Sequence, residues 1–281
     1  MFDCHSHVQF AAFEKDWKEV IDRTLVGGVS IINVGTQRDT SARAVEIANL
    51  YKSGVYATVG LHPVHTTKSY HDSNELGGGD AAKAFVSRGE EFDTAYYHKL
   101  ASDPKVVGLG ECGLDYFRPT GDPVEYKARQ RAVFIEHVAI AMKLNKTLMI
   151  HCRPSKGSDD AYEDLLGILT EWKFPTSQAV LHFYVGSAQM TKKFLDAGFN
   201  FEFGGVITFA RDYDDQIKMI PLERILTETD APYVAPEPYR GARNEPLHVK
   251  EVAKKLAEIK RVSYDEIARV TTENARRIFR I

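Results

Sequence analysis

Histidines and acids stand at the ends of short runs that are otherwise apolar. His5 and His7 close FDCHSH, Glu111 closes VVGLGE, His151 closes TLMIH, His182 closes AVLH and Asp230 closes ILTETD. Residues two apart on a strand share a face, so His5 and His7 are expected to point the same way. An ionisable group at the end of an apolar strand is costly unless it is paired or bound to metal. A lone histidine there is ordinarily a hydrogen-bonded packing residue. Six such groups on five runs require a common partner, and a metal centre provides one.

Four imidazoles and two carboxylates exceed the three protein ligands of a mononuclear catalytic site and suit two ions sharing a carboxylate. Glu111, the carboxylate between the two histidine groups in the chain, is placed to bridge. His5, His7 and Asp230 would complete one ion, and His151 with His182 the other. Two cations about 3.5–4 Å apart can hold a hydroxide nucleophile and stabilise a pentacoordinate phosphorus, with Asp230 as proton acceptor. Nitrogen-rich donor sets favour Zn, Mn or Fe over Mg.

Further residues fall beside this set. Arg153 follows His151 by two, so it shares its facing and suits a phosphate or a nearby acid. His62 could donate to a phosphate oxygen or leaving group, or pack on Pro63. Asp115 either orients substrate or a group behind the ligands, or makes a turn. Arg240 and Arg243 form a basic rim, pair with Glu245 or stay solvated. Tyr116, Phe117, Tyr184, Tyr233 and Tyr239 could stack on unpaired bases, or pack in their loops. By strand parity, Cys4, Cys112 and Cys152 point away from the ligands, into the layer under the helices. The arginines of the tail (Arg269, Arg276, Arg277, Arg280) read as a solvated helix face.

The elements carrying these residues alternate. Strands are expected at Phe2–His7, Val29–Thr36, Val55–His62, Val106–Glu111, Thr147–Arg153, Ala179–Tyr184, Phe199–Gly204 and Arg224–Asp230. Amphipathic helices are expected at Asp16–Leu25, Ala42–Lys52, Lys127–Leu144, Tyr162–Trp172, Gln189–Ala197 and His248–Ile259. Ser263-Tyr264-Asp265-Glu266 is a capping box that opens one more. Eight strands with helical crossovers predict an α/β fold, a TIM (β/α)8 barrel with C-terminal helices; a doubly wound open sheet is the alternative. One domain over 1–281 accommodates all of it. The connection from His62 to Val106 is too long for a crossover. It reads as a surface insertion at 66–80, containing Gly77-Gly78-Gly79, followed by a helix within Ala81–Leu100.

The formal charge of -3 excludes an overall basic field of the kind that coats nucleic acid, so such a substrate would be held locally. No apolar run reaches the roughly 18 residues of a membrane span. The three cysteines, without metal-ribbon spacing, fit a reduced cytoplasmic setting.

With its motifs in order, the chain resembles the TatD family of amidohydrolase-like metal-dependent hydrolases, from Phe2 to Phe279. The motifs are Asp3-Cys4-His5-Ser6-His7, Gly60-Leu61-His62-Pro63, Gly108-Leu109-Gly110-Glu111-Cys112-Gly113-Leu114-Asp115-Tyr116 and Ile150-His151-Cys152-Arg153. Glu228-Thr229-Asp230-Ala231-Pro232-Tyr233, Arg240-Gly241-Ala242-Arg243-Asn244-Glu245-Pro246 and Asn274-Ala275-Arg276-Arg277-Ile278-Phe279 complete them. The resemblance implies a TIM barrel, the six ligands His5, His7, Glu111, His151, His182 and Asp230, and divalent-metal-dependent nuclease activity supported by Mg, often exonuclease action on DNA ends. Some relatives resemble D-aminoacyl-tRNA deacylases, an alternative ester hydrolysis. Zn-like ions are expected in crystals and Mg or Mn in assays. Three departures stand out: a bulkier His182-Phe183-Tyr184-Val185-Gly186 where the family has His-Cys-Phe-Ser-Gly; His62-Pro63-Val64-His65 in place of His-Pro-His; and the insertion.

Overall fold

The computed structural model describes residues 1–68, 70–71 and 85–281. Strands β1 (Phe2–Ser6), β2 (Ser30–Val34) and β3 (Val55–Val59) alternate with helices α1 (Trp17–Val26) and α2 (Arg38–Asn49). A short antiparallel ribbon of β4 (Tyr70–His71) and β5 (Phe85–Val86) precedes helix α3 (Thr94–Ala101). Alternation then resumes with β6 (Val106–Asp115), α4 (Pro123–Leu144), β7 (Thr147–Arg153), α5 (Asp160–Glu171), β8 (Ala179–Leu181) and α6 (Ala188–Ala197). β9 (Asn200–Phe203), α7 (Asp214–Met219) and β10 (Ile225–Thr227) follow, and α8 (Val249–Lys260) and α9 (Tyr264–Phe279) end the chain.

Eight strands form one sheet in the order β1-β2-β3-β6-β7-β8-β9-β10, all paired in parallel. The last strand returns to the first. Asp230 N donates to His5 O (2.9 Å), His7 N donates to Ala231 O (2.7 Å), and Thr227 Oγ1 donates to Phe2 O (2.9 Å). These bonds close the sheet into the expected barrel and rule out the open sheet. Most of the insertion expected at 66–80 lies outside the described residues, and the helix expected within Ala81–Leu100 appears as α3, ending one residue later.

Local chemistry sets the helix ends. Asp122 accepts from Val124 N (2.7 Å) and Glu125 N (3.3 Å), and Pro123 occupies the first turn, where a missing N–H costs nothing. Ser263 accepts from Glu266 N (3.1 Å), so α9 begins where the capping pattern placed it. The arginines of α9 divide: Arg269 pairs with Glu273 on the helix face (2.9 Å), whereas Arg277 donates to Glu223 O (2.7 Å) and Arg280 to Asn145 O. Arg277 and Arg280, the latter just past α9, stay exposed as expected and also tie the end of the helix to the barrel.

Two apolar layers result. The larger packs outward-facing strand residues such as Ile31, Leu109, Leu148, Ile150 and Phe201 against the helices. The smaller fills the lumen with Phe2, Cys4, Ile32, Val34, Val107, Met149, Val180 and Leu226, and the end of α9 (Ala275, Ile278, Phe279) closes its floor. Cys4 therefore does not lie under the helices as parity predicts. β1 advances three residues from Asp3 to Ser6 while β2 advances two from Ile31 to Asn33. This bulge reverses the alternation, so Phe2 and Cys4 face inward below it and His5 and His7 face inward above it. Cys112 and Cys152 do pack with the outer layer.

Candidate metal centre

The centre is built around Glu111. Its strand, β6, is four residues longer than expected and runs on to Asp115. Two glycines make this passage possible. Gly110 has φ +149°, and a Cβ there would fall 2.4 Å from Met149 O; Gly113 has φ +135°, and a Cβ there would fall 2.0 Å from His151 O. β6 and β7 approach too closely at these points for any side chain.

Glu111 is 4% exposed and ringed by imidazoles. Its Oε1 lies 3.2 Å from His62 Nε2, 3.2 Å from His151 Nδ1 and 3.6 Å from His182 Nε2. Its Oε2 lies 3.4 Å from His5 Nε2 and 3.9 Å from His7 Nε2. His5 Nε2 and His7 Nε2 face each other at 3.2 Å, and Asp230 Oδ1 is 3.3 Å from His7 Nε2 and 3.9 Å from His5 Nε2. The structure thus brings together all six residues singled out as ligands.

It also places His62 in the same ring. His62, Glu111 and His151 present ligand atoms close enough to share one ion, as do His5, His7 and Glu111. His62 caps a helical turn, accepting from Val64 N through Nδ1 (3.2 Å), which leaves Nε2 for the centre. His65 is buried against Ser87 Oγ (3.1 Å).

Three acids below the ring were missed by the sequence reading. Glu228 Oε2 meets His182 Nδ1 in a short contact and lies 4.0 Å from His5 Nδ1, while its Oε1 accepts from Phe183 N (3.1 Å). Glu202, flanked by Phe201 and Phe203, has both carboxylate oxygens buried without a hydrogen-bond partner. Asp3 accepts from Thr229 N (2.8 Å) and Thr229 Oγ1 (2.7 Å), fixing the segment after β10 that carries Asp230. Glu228 had a signal: it precedes Asp230 by two and so shares its facing. A carboxylate between two phenylalanines was the signal for Glu202.

Electrostatics follow burial and charge. Burial alone would raise Glu111, but His62 and His5 outweigh it and hold its carboxyl well below the usual range. Asp230 is likewise lowered against burial, chiefly by His7 and His182. Burial lowers His5 to about 3 and lowers His62. His151 goes the other way: burial opposes its protonation, yet hydrogen bonds to Asp115 (2.9 Å from Nε2) and Glu111 raise it to about 9. Burial raises Asp3 to about 8 and also raises Glu202 and Glu228.

The donor set fits divalent cations. Among the described residues, no lysine or arginine makes a hydrogen bond or ion pair with Glu111, Glu202, Glu228 or Asp230. His5 Nδ1 is buried without a hydrogen-bond partner. Imidazoles and carboxylates converging in one buried space, with no lysine or arginine among the described residues to pair the acids, match a cation's requirements.

Around the ring the placements differ from one another. Asp115 is 6% exposed, accepts from Phe117 N (3.1 Å) in the turn read into it, and also holds His151 Nε2. The Arg153 guanidinium lies over the Phe117 ring at 3.8 Å and makes no salt bridge among the described residues. Arg240 is exposed over Phe209 (4.0 Å) and donates to Ala235 O (2.9 Å). Arg243 is committed to Asp16 (2.6 and 2.8 Å) and Glu245 (3.1 Å). Tyr116 corrects the sequence reading: it is 1% exposed, and its hydroxyl donates to Asp164 on α5 (2.9 Å). Since Asp115 faces the centre, the next residue must face the helices. Tyr184 is buried too, with its hydroxyl against Thr191 (3.1 Å), and Tyr239 stacks on His248 (3.9 Å).

A (β/α)8 barrel with imidazoles and carboxylates gathered at the carboxyl ends of its strands has the build of a metal-dependent hydrolase. The family described as "TatD related DNase" matches residues 2–280, and the chain belongs to it. The chain is 37% identical over 284 residues to the "Uncharacterized metal-dependent hydrolase YabD" of Bacillus subtilis (strain 168), covering 100% of this chain and 99% of that one. It is 31% identical over 289 residues to the "3'-5' ssDNA/RNA exonuclease TatD" of Pectobacterium parmentieri, covering 100% of both. Among solved structures, the TatD homolog YJJV from Escherichia coli K12 superposes with a TM-score of 0.80 at 28% identity, covering 100% of this chain and 98% of that one.

Proposed function

We propose that this protein is a divalent-metal-dependent phosphodiesterase that degrades single-stranded DNA from its ends. The observation that carries the reading is the ring of five imidazoles around the single carboxylate of Glu111. The exonuclease named among the relatives supports the nucleic-acid substrate. His5, His7, Glu111 and Asp230 would hold one ion; His62, His151 and His182 would hold a second, with Glu111 shared. A pair of cations there would supply an activated water and neutralise charge on the phosphate.

The chain's own groups do the rest. Asp230, with its side chain 17% exposed, is the carboxylate of the ring most open to solvent. His7 and His182 keep it ionised against burial, so it stands as a carboxylate that can accept a proton. Asp115 fixes the ring plane of His151 through Nε2 and so aims Nδ1 at Glu111. Arg153, without a salt bridge among the described residues, offers its guanidinium to a phosphate that neighbours the one being cleaved.

The test is incubation of metal-reconstituted protein with end-labelled single-stranded DNA, RNA and a D-aminoacyl-tRNA. Stepwise shortening of DNA that stops with chelator and returns with Mn or Mg is the expected result. Deacylation of the tRNA without any cleavage of DNA would replace the nuclease reading with ester hydrolysis at the same centre.

A further inference from the structure

A cavity of about 350 Å³ lies between the β1–α1 connection, the start of α1 and the α2 residues Arg43 and Ile47. The connection and α2 leave the barrel at its catalytic end: the connection follows His7, and α2 follows β2 by a few residues. Phe10 connects the cavity with His7. Its ring lies parallel to His7, with centroids 4.4 Å apart and planes 14° apart, and its own surface lines the cavity. Trp17 and Ile47 supply the other apolar surface, while Gln9, Glu14 and Arg43 supply the polar one. Gln9 is held by its Nε2 donating to Val34 O (2.7 Å), which leaves Oε1 without a partner. The Arg43 guanidinium is 5.2 Å from the Trp17 ring centroid and is braced by Glu46 (3.1 Å).

We infer that this cavity receives a nucleobase of the strand whose phosphate lies at the metal centre. The inference rests on the nucleic-acid reading above and adds a subsite to it. Its chemistry is that of a base and not of a plain hydrophobe. Two aromatic rings offer faces for stacking, Arg43 adds a cation beside them, and the Glu14 carboxylate accepts from base N–H groups. None of these residues carries a charge or ligand needed by the metal centre itself, so the subsite explains polar and aromatic residues which the centre leaves unused. Phe10, which lines the cavity, stacks on His7, so a base seated here belongs to the strand held at the centre.

The test uses the full chain in a Trp172→Phe background, which leaves Trp17 as its sole tryptophan. A six-nucleotide single strand and its counterpart with an abasic terminal nucleotide are titrated while Trp17 emission is recorded; this readout needs no turnover. Quenching by the base-containing strand alone is expected. In steady-state assays of the metal-loaded protein, the abasic strand and the Arg43→Ala variant should each raise KM by between about 5- and 150-fold, the range for loss of one stacked base. Equal emission changes with both strands, together with equal KM values, would overturn the subsite. Hydrolysis of bis(4-nitrophenyl) phosphate, which has no base, separates the two proposals. If the wild-type protein cleaves it while the base proves irrelevant, only the subsite falls; if it cleaves neither that diester nor DNA, the phosphodiesterase reading falls.

Discussion

Replacing Asp115 with Asn isolates the contact that makes His151 basic. The two side chains are nearly isosteric, so the 2.9 Å contact to Nε2 can persist while its charge disappears. In the metal-free protein, His151 titrates at about 9 against 6.5 for the free side chain. At about 1.4 kcal/mol for each tenfold, that difference is roughly 3 kcal/mol of folding stability. The sign follows from the direction. A histidine raised on folding stabilises fully below pH 6.5, and this contribution is lost as pH climbs through about 9. Glu111 shares the work, so the variant should lose about 1.5–3 kcal/mol, the worth of one charge-assisted hydrogen bond. Urea unfolding of chelator-stripped protein at about pH 6, 8 and 10 measures it. Asp3, raised to about 8, also titrates in this window, but it does so in both proteins and cancels in their difference. The gap between wild type and Asp115→Asn should be widest near pH 6 and close towards pH 10. A gap constant across pH, or a His151 ring signal titrating near 6.5 in both proteins by NMR, would refute the reasoning.

Other outcomes follow from the same geometry. Glu111→Gln keeps the volume but removes the charge shared by five imidazoles; hydrolysis should fall by at least about 100-fold while circular dichroism is unchanged, with bound metal counted in parallel. Arg153→Ala should raise KM for DNA about tenfold or more and leave metal content intact, measured by steady-state kinetics and elemental analysis. Tyr116→Phe should leave turnover within about twofold and cost about 1 kcal/mol in urea unfolding, because only the bond to Asp164 is lost.

Much of this arrangement can be read from the sequence, because period and position carry it. The apolar runs ending in His or acid became the barrel strands, and the shared facing of His5 with His7 survives in the structure. Three particulars escaped. Gly110 and Gly113 resemble a strand ending, yet they allow β6 to continue beside β7. The β1 bulge cannot be seen in a chain read one residue at a time, since it shows only in the register against β2; Cys4 was misplaced for that reason. Tyr116 was placed at the mouth by its type, although the parity that removed Cys112 should have removed it too. Glu202 is of another kind: only burial from every side reveals that its oxygens have no hydrogen-bond partner.

The end of α9 turns the barrel into a vessel with one opening. Ile278 and Phe279 seal the far side, and the greasy stack of Phe2, Val107, Met149 and Leu226 fills the shaft above them. Under the proposed function, ions, water and strand would all enter at the end of the barrel opposite α9. A nucleic acid end held across that opening would imprison the cations behind it, so chelators should strip the loaded complex far more slowly than the free protein.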